Sequence, residues 1–146
     1  QFRLDEGSKL EEDITSRINQ LSSLLKDIAP FAKDRIGKIK ESLSEKLSEI
    51  DSKNIDENRF EQELIYYLEK QDITEEQVRL STHLNYFLET MKTDSPNGKK
   101  LGFISQEIGR EVNTIGSKSS DAEMQKIVVQ MKDELEKIKE QLLNIL

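Results

Sequence analysis

Apolar residues recur along this chain at spacings of three and four, the repeat of one face of an α-helix. Leu10, Ile14, Ile18 and Leu21 begin one such seam, and similar seams follow along the chain. No alternating run of apolar and polar residues bounded by turn residues indicates a strand. The pattern predicts an all-α fold, a bundle of about six long antiparallel helices with short loops. The predicted helices cover residues 1–29, 31–49, 55–71, 72–91, 98–119 and 120–145.

Proline and short polar segments set the predicted helix ends. Pro30 predicts a break or a kink between the first two helices, because proline lacks the backbone N–H that a helix interior uses. Asp56 is a candidate N-cap of the third helix, and Asp72, three residues before Glu75, predicts a capping box for the fourth. The segment SPNG at 95–98 predicts a turn. Residues 1–146 are expected to form a single helical domain.

Composition narrows the classes of function. The chain is 35% charged with a net charge of -7, which argues against a general nucleic-acid coat protein but leaves room for a local basic patch. The absence of cysteine excludes disulfides, thiolate catalysis and cysteine-bound zinc. No apolar run is long enough to span a membrane. For a chain without cysteine, the cytoplasm is the expected default location. The sequence begins QFRLDEGSKL, without Met, as expected for a piece of a longer protein.

The predicted fifth helix has glycines in a line. Gly102, Gly109 and Gly116 recur every seven residues beside an apolar stripe, and each costs a helix about 1 kcal/mol relative to alanine. One interpretation is tight packing against another helix. The other is close approach of a nucleic-acid backbone to the polar stripe beside the glycines.

One face of the predicted fourth helix carries Asp72, Glu76, Arg79 and His83, with Glu75 nearby. These residues could form a solvated face of ion pairs. They could also hold a hard divalent cation, since carboxylate oxygens suit Mg²⁺ or Mn²⁺. His83, the only histidine, would then add a ligand or carry a proton. The spacing leaves both interpretations open.

An acidic segment and a basic one follow each other in the chain. Residues 56–76 hold eight carboxylates against two cations, whereas residues 98–118 hold four cations against Glu107 and Glu111. This combination suits metal-assisted phosphodiester cleavage, in which cations hold the flanking phosphates. It also suits two helices joined by salt bridges. A single histidine excludes a two-histidine ribonuclease mechanism within one chain, and no phosphate-binding GxxxxGK[ST] loop or HExxH motif is present.

The most distinctive parts of the chain are three segments: DITEEQVRLSTHL at 72–84, GKKLGFISQEIGREVNTIGSKSSDAE at 98–123 and KDELEKIKEQLLNI at 132–145. Together with the opening Arg3, Glu6, Gly7, Leu10 and Asp13, they resemble the C-terminal region of the YicC-like family. One departure is Gly102, which stands where the family pattern has an aspartate.

The resemblance implies a function. YicC-like proteins are bacterial, cytoplasmic, stress-associated endoribonucleases that use a divalent metal ion, Mn²⁺ or Mg²⁺. They assemble into oligomers, with a hexamer expected for the full-length protein. They also carry an N-terminal domain of similar size. The implied partners of this chain are therefore RNA, its own N-terminal domain and further copies of itself, with no membrane.

On this hypothesis, polar residues of the matching segments cleave RNA phosphodiester bonds with a metal ion. The predicted metal ligands are Asp72, Glu76, Glu107 and Glu111. The predicted catalytic residues are His83 and Glu111. The predicted RNA-binding residues are Arg79, Lys99, Lys100, Gln106, Arg110, Asn113 and Lys118. The alternative is a non-catalytic helical oligomerisation or interaction domain, with the chemistry in, or shared with, the N-terminal domain. The isolated fragment would then be inactive.

Overall fold

Five α-helices make up the part of the chain that the structure, a computed structural model, describes: residues 2–48, 57–93, 97–119 and 121–145. The all-α prediction is confirmed, but the number of helices is five rather than six. The predicted cap at Asp56 and the turn residues 95–96 lie outside the described residues. The helices are α1 (Phe2–Ser48), α2 (Glu57–Gln71), α3 (Thr74–Met91), α4 (Gly98–Lys118) and α5 (Ala122–Ile145).

The difference in number arises at Pro30, where the predicted helix break was wrong. Helix α1 runs through this proline for 47 residues. Pro30 and Lys26, whose carbonyl loses its helical partner, both lie on the exposed side of α1. Water can therefore bind that carbonyl, so the proline is tolerated within the helix. No helix in the described part is both long enough and apolar enough to cross a membrane.

The buried core is built by α1, α3, α4 and α5. Helix α1 packs against α3 and α5, and α4 packs between α3 and α5. Contacts such as Arg17 with Glu134, and Asp13 with Gln141, run in opposite order along α1 and α5, so these helices are antiparallel. Apolar residues spaced three and four apart in these helices supply the core, which includes Ile14, Ile18, Leu21, Ile28, Leu80, Leu84, Phe87, Ile104, Ile108, Val112, Ile115, Val128, Met131, Leu135 and Ile138.

The second half of α1 packs against α2, away from this core. Among the described residues, none of α2 belongs to the core cluster. The side chains of Ile65, Tyr66 and Tyr67 in this helix are instead exposed, that of Tyr66 to 61%. The bundle therefore has a well-packed body and a thinner two-helix extension.

Candidate functional site

The polar residues singled out in the sequence meet along the seam between α3 and α4. Glu76, Arg79, His83 and Tyr86 are spaced three and four residues apart, so they lie along one edge of α3. Glu76 meets Lys118 at the end of α4, Arg79 meets Glu111, and Tyr86 meets Lys100 near the start of α4. The two helices are therefore antiparallel, with ion pairs at one end of the seam and a cation–π contact at the other.

Arg79 joins the two central acids. Its Nε donates to Oε1 of Glu111 at 2.9 Å, and its Nη2 lies 3.6 Å from Oε1 of Glu76. Its Nη1 donates to the exposed Glu75 at 3.2 Å. The hydrogen bonds that Arg79 donates, to Glu111 first and then to Glu75, raise the pKa of Arg79. The Glu76 and Glu111 side chains are only 5% and 7% exposed, so one half-exposed guanidinium bridges two buried carboxylates.

Lys118 is the second cation of this cluster. Its Nζ donates to Oε1 of Glu76 at 2.8 Å and to the backbone carbonyl of Asp72 at 3.1 Å. It is therefore used inside the protein, as Arg79 is. Neither is an unpaired surface cation of the kind that the sequence analysis assigned to RNA.

Asp72 lies just before α3 and directs its carboxylate to Thr74. Its Oδ1 accepts a hydrogen bond from the Thr74 backbone N–H at 2.9 Å and another from the Thr74 hydroxyl at 2.5 Å. The hydroxyl bond first, and then the backbone bond, lower the pKa of Asp72. The expected capping box does not form, because Ile73 rather than Asp72 stands at the N-cap of α3, and Glu75 pairs with Arg79.

Glu76 and Glu111 each keep one oxygen without a partner. Oε2 of both residues is buried and makes no hydrogen bond within the described part of the chain. A buried carboxylate oxygen is normally satisfied by a donor, by water or by a cation, because leaving it bare costs free energy. Each of these two oxygens can therefore accept one further ligand, such as a cation or a hydrogen-bond donor.

The four predicted metal ligands do not form one group. Among the described residues, no three or more acidic or histidine side chains are arranged to hold a metal ion. Asp72 faces Thr74, and the carboxylate of Glu107 lies 3.9 Å from Arg110 on its own helix. Mg²⁺ and Mn²⁺ are often held by one or two carboxylates with water and phosphate oxygens. The Glu76–Glu111 pair fits that smaller role, and further ligands would have to come from elsewhere.

The remaining predicted site residues lie on or beside the outer face of α4. Lys99, Gln106, Arg110 and Asn113 are exposed along one stripe, and Lys100 lies beside them with its Nζ 5.0 Å from the centre of the Tyr86 ring. His83 is half-buried one turn beyond Arg79, and it makes no hydrogen bond or ion pair with the described residues. The site thus has buried acids at the seam between α3 and α4 and cations on the outer face of α4.

The glycine line of α4 faces α5 and divides into two parts. A methyl group at Gly109 would lie 3.2 Å from Cδ2 of Leu135, and one at Gly116 would lie 3.1 Å from Cγ1 of Val128. At these two positions the interpretation as tight helix packing is confirmed. Gly102 is different, since nothing lies within 4 Å of the corresponding position.

The family of this chain follows from comparison with known protein families. Residues 28–146 match the sequence model of the family described as endoribonuclease YicC-like, C-terminal. This chain belongs to that YicC-like family.

Two curated relatives of this chain carry the name of the same family. The probable endoribonuclease YicC of Clostridioides difficile (strain 630) is 42% identical over 147 residues, which is 99% of this chain and 50% of the relative. The probable endoribonuclease YicC of Haemophilus influenzae (strain ATCC 51907 / DSM 11121 / KW20 / Rd) is 30% identical over 140 residues, covering 96% of this chain and 48% of the relative. The chain therefore spans about half the length of the curated YicC relatives that it matches.

Arg35 of this YicC-like chain has a structural role that its sequence pattern does not indicate. This arginine of α1 is only 11% exposed and donates to the carbonyls of Gln71 and Lys118, to the Gln71 side chain and to the hydroxyl of Ser119. Its Nε lies 3.5 Å from Asp121. Arg35 thereby binds the ends of α2 and α4. No local pattern could have indicated this, because its partners are 36 and more residues away.

Proposed function

We propose that this chain is the C-terminal half of an endoribonuclease, and that Glu76 and Glu111 lie at its reaction centre. The observation that carries the proposal is the pairing of these two buried carboxylates by Arg79, with one bare oxygen on each. Membership of the YicC-like family supports RNA as the substrate. Because the chain spans half of its relatives, the activity belongs to the full-length protein.

The residues of this half have separate roles in the proposed reaction. Glu76 and Glu111 supply two oxygen ligands for Mn²⁺ or Mg²⁺, with the other ligands coming from water, the RNA phosphate or the other half of the protein. When bound, such an ion polarises the phosphoryl oxygen or activates a nucleophile. Arg79 fixes the direction of both carboxylates. We assign His83, one helical turn from Arg79, to proton transfer.

The outer face of α4 holds the RNA. Lys99, Lys100 and Arg110 attract phosphates, and Gln106 and Asn113 contact ribose or base edges. Arg79 and Lys118 act indirectly, because their charges are already used by Glu76 and Glu111. This assignment separates the residues that bind RNA from those that organise the acids.

The test uses the full-length protein and a labelled RNA. Glu76→Gln and Glu111→Gln keep the side-chain shape but remove the charge, and we expect each to slow cleavage at least about a hundredfold. Glu89→Gln, an exposed acid on the same helix α3, is the matched control and should cleave at the wild-type rate. Thermal melting of each variant separates loss of chemistry from loss of fold.

Two results would contradict the proposal. Wild-type cleavage by both glutamine variants would remove Glu76 and Glu111 from the reaction centre. Cleavage that continues unchanged in excess chelator, and that Mn²⁺ and Mg²⁺ do not stimulate, would remove the metal ion from the proposal.

A second candidate function, assembly, is favoured by α2. Ile65 and Tyr66 are 56% and 61% exposed on a helix outside the core, and such side chains suit a contact with another chain. On this proposal residues 1–146 form oligomers, and the chemistry lies in, or is shared with, the other half. Mass measurement by light scattering and an RNA cleavage assay on residues 1–146 distinguish the candidates. Assembly without cleavage favours the second, and metal-dependent cleavage favours the first.

A further inference from the structure

A groove opens between the start of α4 and the end of α5. It has a volume of about 480 Å³, and its lining includes Lys99, Gly102, Phe103, Gln106, Lys139 and Leu143. Helices α4 and α5 pack closely at Gly109 and Gly116, but space remains at Gly102. The groove therefore begins where the close packing along the glycine line ends.

Phe103 forms an aromatic wall of this groove. Its side chain is 63% exposed, and it lies on the same outward stripe of α4 as Lys99, Gln106 and Arg110. The neighbouring Leu143 is 72% exposed. A large aromatic ring that is excluded from the core, on a stripe of polar and cationic residues, is well placed to stack against a flat ligand.

The charge of the groove is positive, although the chain has a net charge of -7. Lys99 lies on the α4 side and Lys139 on the α5 side. Neither makes an ion pair with the residues that the structure describes, and no carboxylate of that part lines the groove. A polyanion with flat apolar groups would find here an aromatic surface and cations on both sides.

We propose that this groove binds one unpaired base of single-stranded RNA, stacked on Phe103, with the neighbouring phosphates at Lys99 and Lys139. The inference rests on the proposed function and specifies its substrate. Phe103 precedes Glu111 by eight residues of helix, about 12 Å, so an RNA held here could continue along Gln106 and Arg110 towards the acid pair. A paired base cannot stack in this way, so the groove selects unpaired segments.

The experiment measures binding rather than cleavage. The full-length protein with Glu111→Gln is titrated into a fluorescein-labelled single-stranded RNA and into a duplex of the same length, with fluorescence anisotropy as the signal. A gel confirms that both RNAs stay intact. Added to this background are Phe103→Ala, Phe103→Tyr, Lys139→Gln and the control Phe31→Ala, at an aromatic residue of α1 that is 38% exposed.

We expect Phe103→Ala to weaken single-strand binding about tenfold and to leave duplex binding unchanged, while Phe103→Tyr and Phe31→Ala bind as the background protein does. Lys139→Gln should lower the slope of log affinity against log salt by about 0.7. Equal single-strand affinity of Phe103→Ala and Phe31→Ala overturns the inference and leaves the proposed function standing. So does a change of oligomeric mass in Phe103→Ala without a change in affinity, since the groove would then be a protein contact. Failure of every protein, background included, to bind RNA overturns both.

Discussion

Nζ of Lys118, the last residue of α4, lies 2.8 Å from Oε1 of Glu76 in the first turn of α3. The contact joins residues that are 42 positions apart and ties the end of one helix to the start of the preceding one. Glu76 is 5% exposed, so its charge depends on Lys118 and Arg79 for compensation. The same lysine thus stabilises the fold and sets the position of a proposed reaction-centre acid.

Lys118→Met should lower the free energy of unfolding by about 2 kcal/mol, because it leaves the buried Glu76 with one cation fewer. Urea denaturation measures the change. Lys126→Met is the matched control: its pair with Glu123 is exposed and 3.8 Å long, so its loss should change stability by less than about 0.5 kcal/mol. Equal losses of unfolding free energy in the two variants would contradict a larger stabilisation by the Lys118 contact with the buried Glu76.

Alanine at the glycines of α4 should have opposite effects at two positions. Gly102→Ala should raise the free energy of unfolding by about 1 kcal/mol, because nothing lies near the new methyl group and alanine favours helix. Gly116→Ala should lower it by about 1 kcal/mol, because the methyl would meet Val128, whose β-branched side chain has little freedom to move. Thermal or urea denaturation tests both, and stabilisation by Gly116→Ala would contradict the close packing with α5.

Asp72 should make stability depend on pH in the acidic range. Hydrogen bonds from Thr74 favour the charged carboxylate and hold the pKa of Asp72 below its ordinary value of 3.8. Its contribution is therefore complete above the pKa of the unfolded chain and is lost as the pH falls through the lower pKa of the folded chain. Asp72→Ala should be about 1 kcal/mol less stable than wild type near neutral pH, and this difference should shrink as the pH falls below 3.8.

Urea denaturation of wild type and Asp72→Ala across this pH range gives the difference in their free energies of unfolding. The contributions of the other acids are the same in both proteins and cancel in this difference. Asp72→Asn is the matched control, because its side-chain oxygen can still accept from Thr74 but carries no charge. A gap between wild type and Asp72→Ala that stays constant from neutral to acidic pH would contradict the role of the charged form.

Arg35→Leu should destabilise the protein by about 3 kcal/mol, since it leaves the acceptors of Gln71, Lys118 and Ser119 without their donor and removes the ion pair with Asp121. Arg35→Lys should recover only part of the loss, because a single ammonium cannot reproduce the fork of the guanidinium. Urea denaturation measures both. Lys38→Leu, an exposed cation three residues along the same helix, should change stability by less than about 0.5 kcal/mol. A small effect of Arg35→Leu would contradict its role as a clamp.

Most of the helical structure could be predicted from periodicity. The seams through Ile14 and Ile18, through Ile104 and Ile108, and along α5 all become core, because burying an apolar stripe is what stabilises each helix. The helix break at Pro30 could not be judged in this way. Its outcome depends on whether the freed carbonyl of Lys26 faces solvent, which is a property of the folded bundle.

The candidate site was predicted in its parts but not in its arrangement. The sequence placed Glu76, Arg79 and Glu111 on polar stripes, and the structure brings these three together. It turns Asp72 towards Thr74 and leaves Glu107 nearest to Arg110. Arg79 and Lys118, predicted as RNA-binding residues, are paired inside the protein.

The sequence by itself determined the helical class, the buried face of α4 and membership of the YicC-like family, because all three are written in local spacing and residue identity. Tertiary structure alone decided which charges neutralise one another, that Gly102 is open while Gly109 and Gly116 are packed, and that Arg35 holds three distant segments. The physical reason is that ion pairing and packing depend on distances between helices, and those distances are set by the whole core rather than by any one segment.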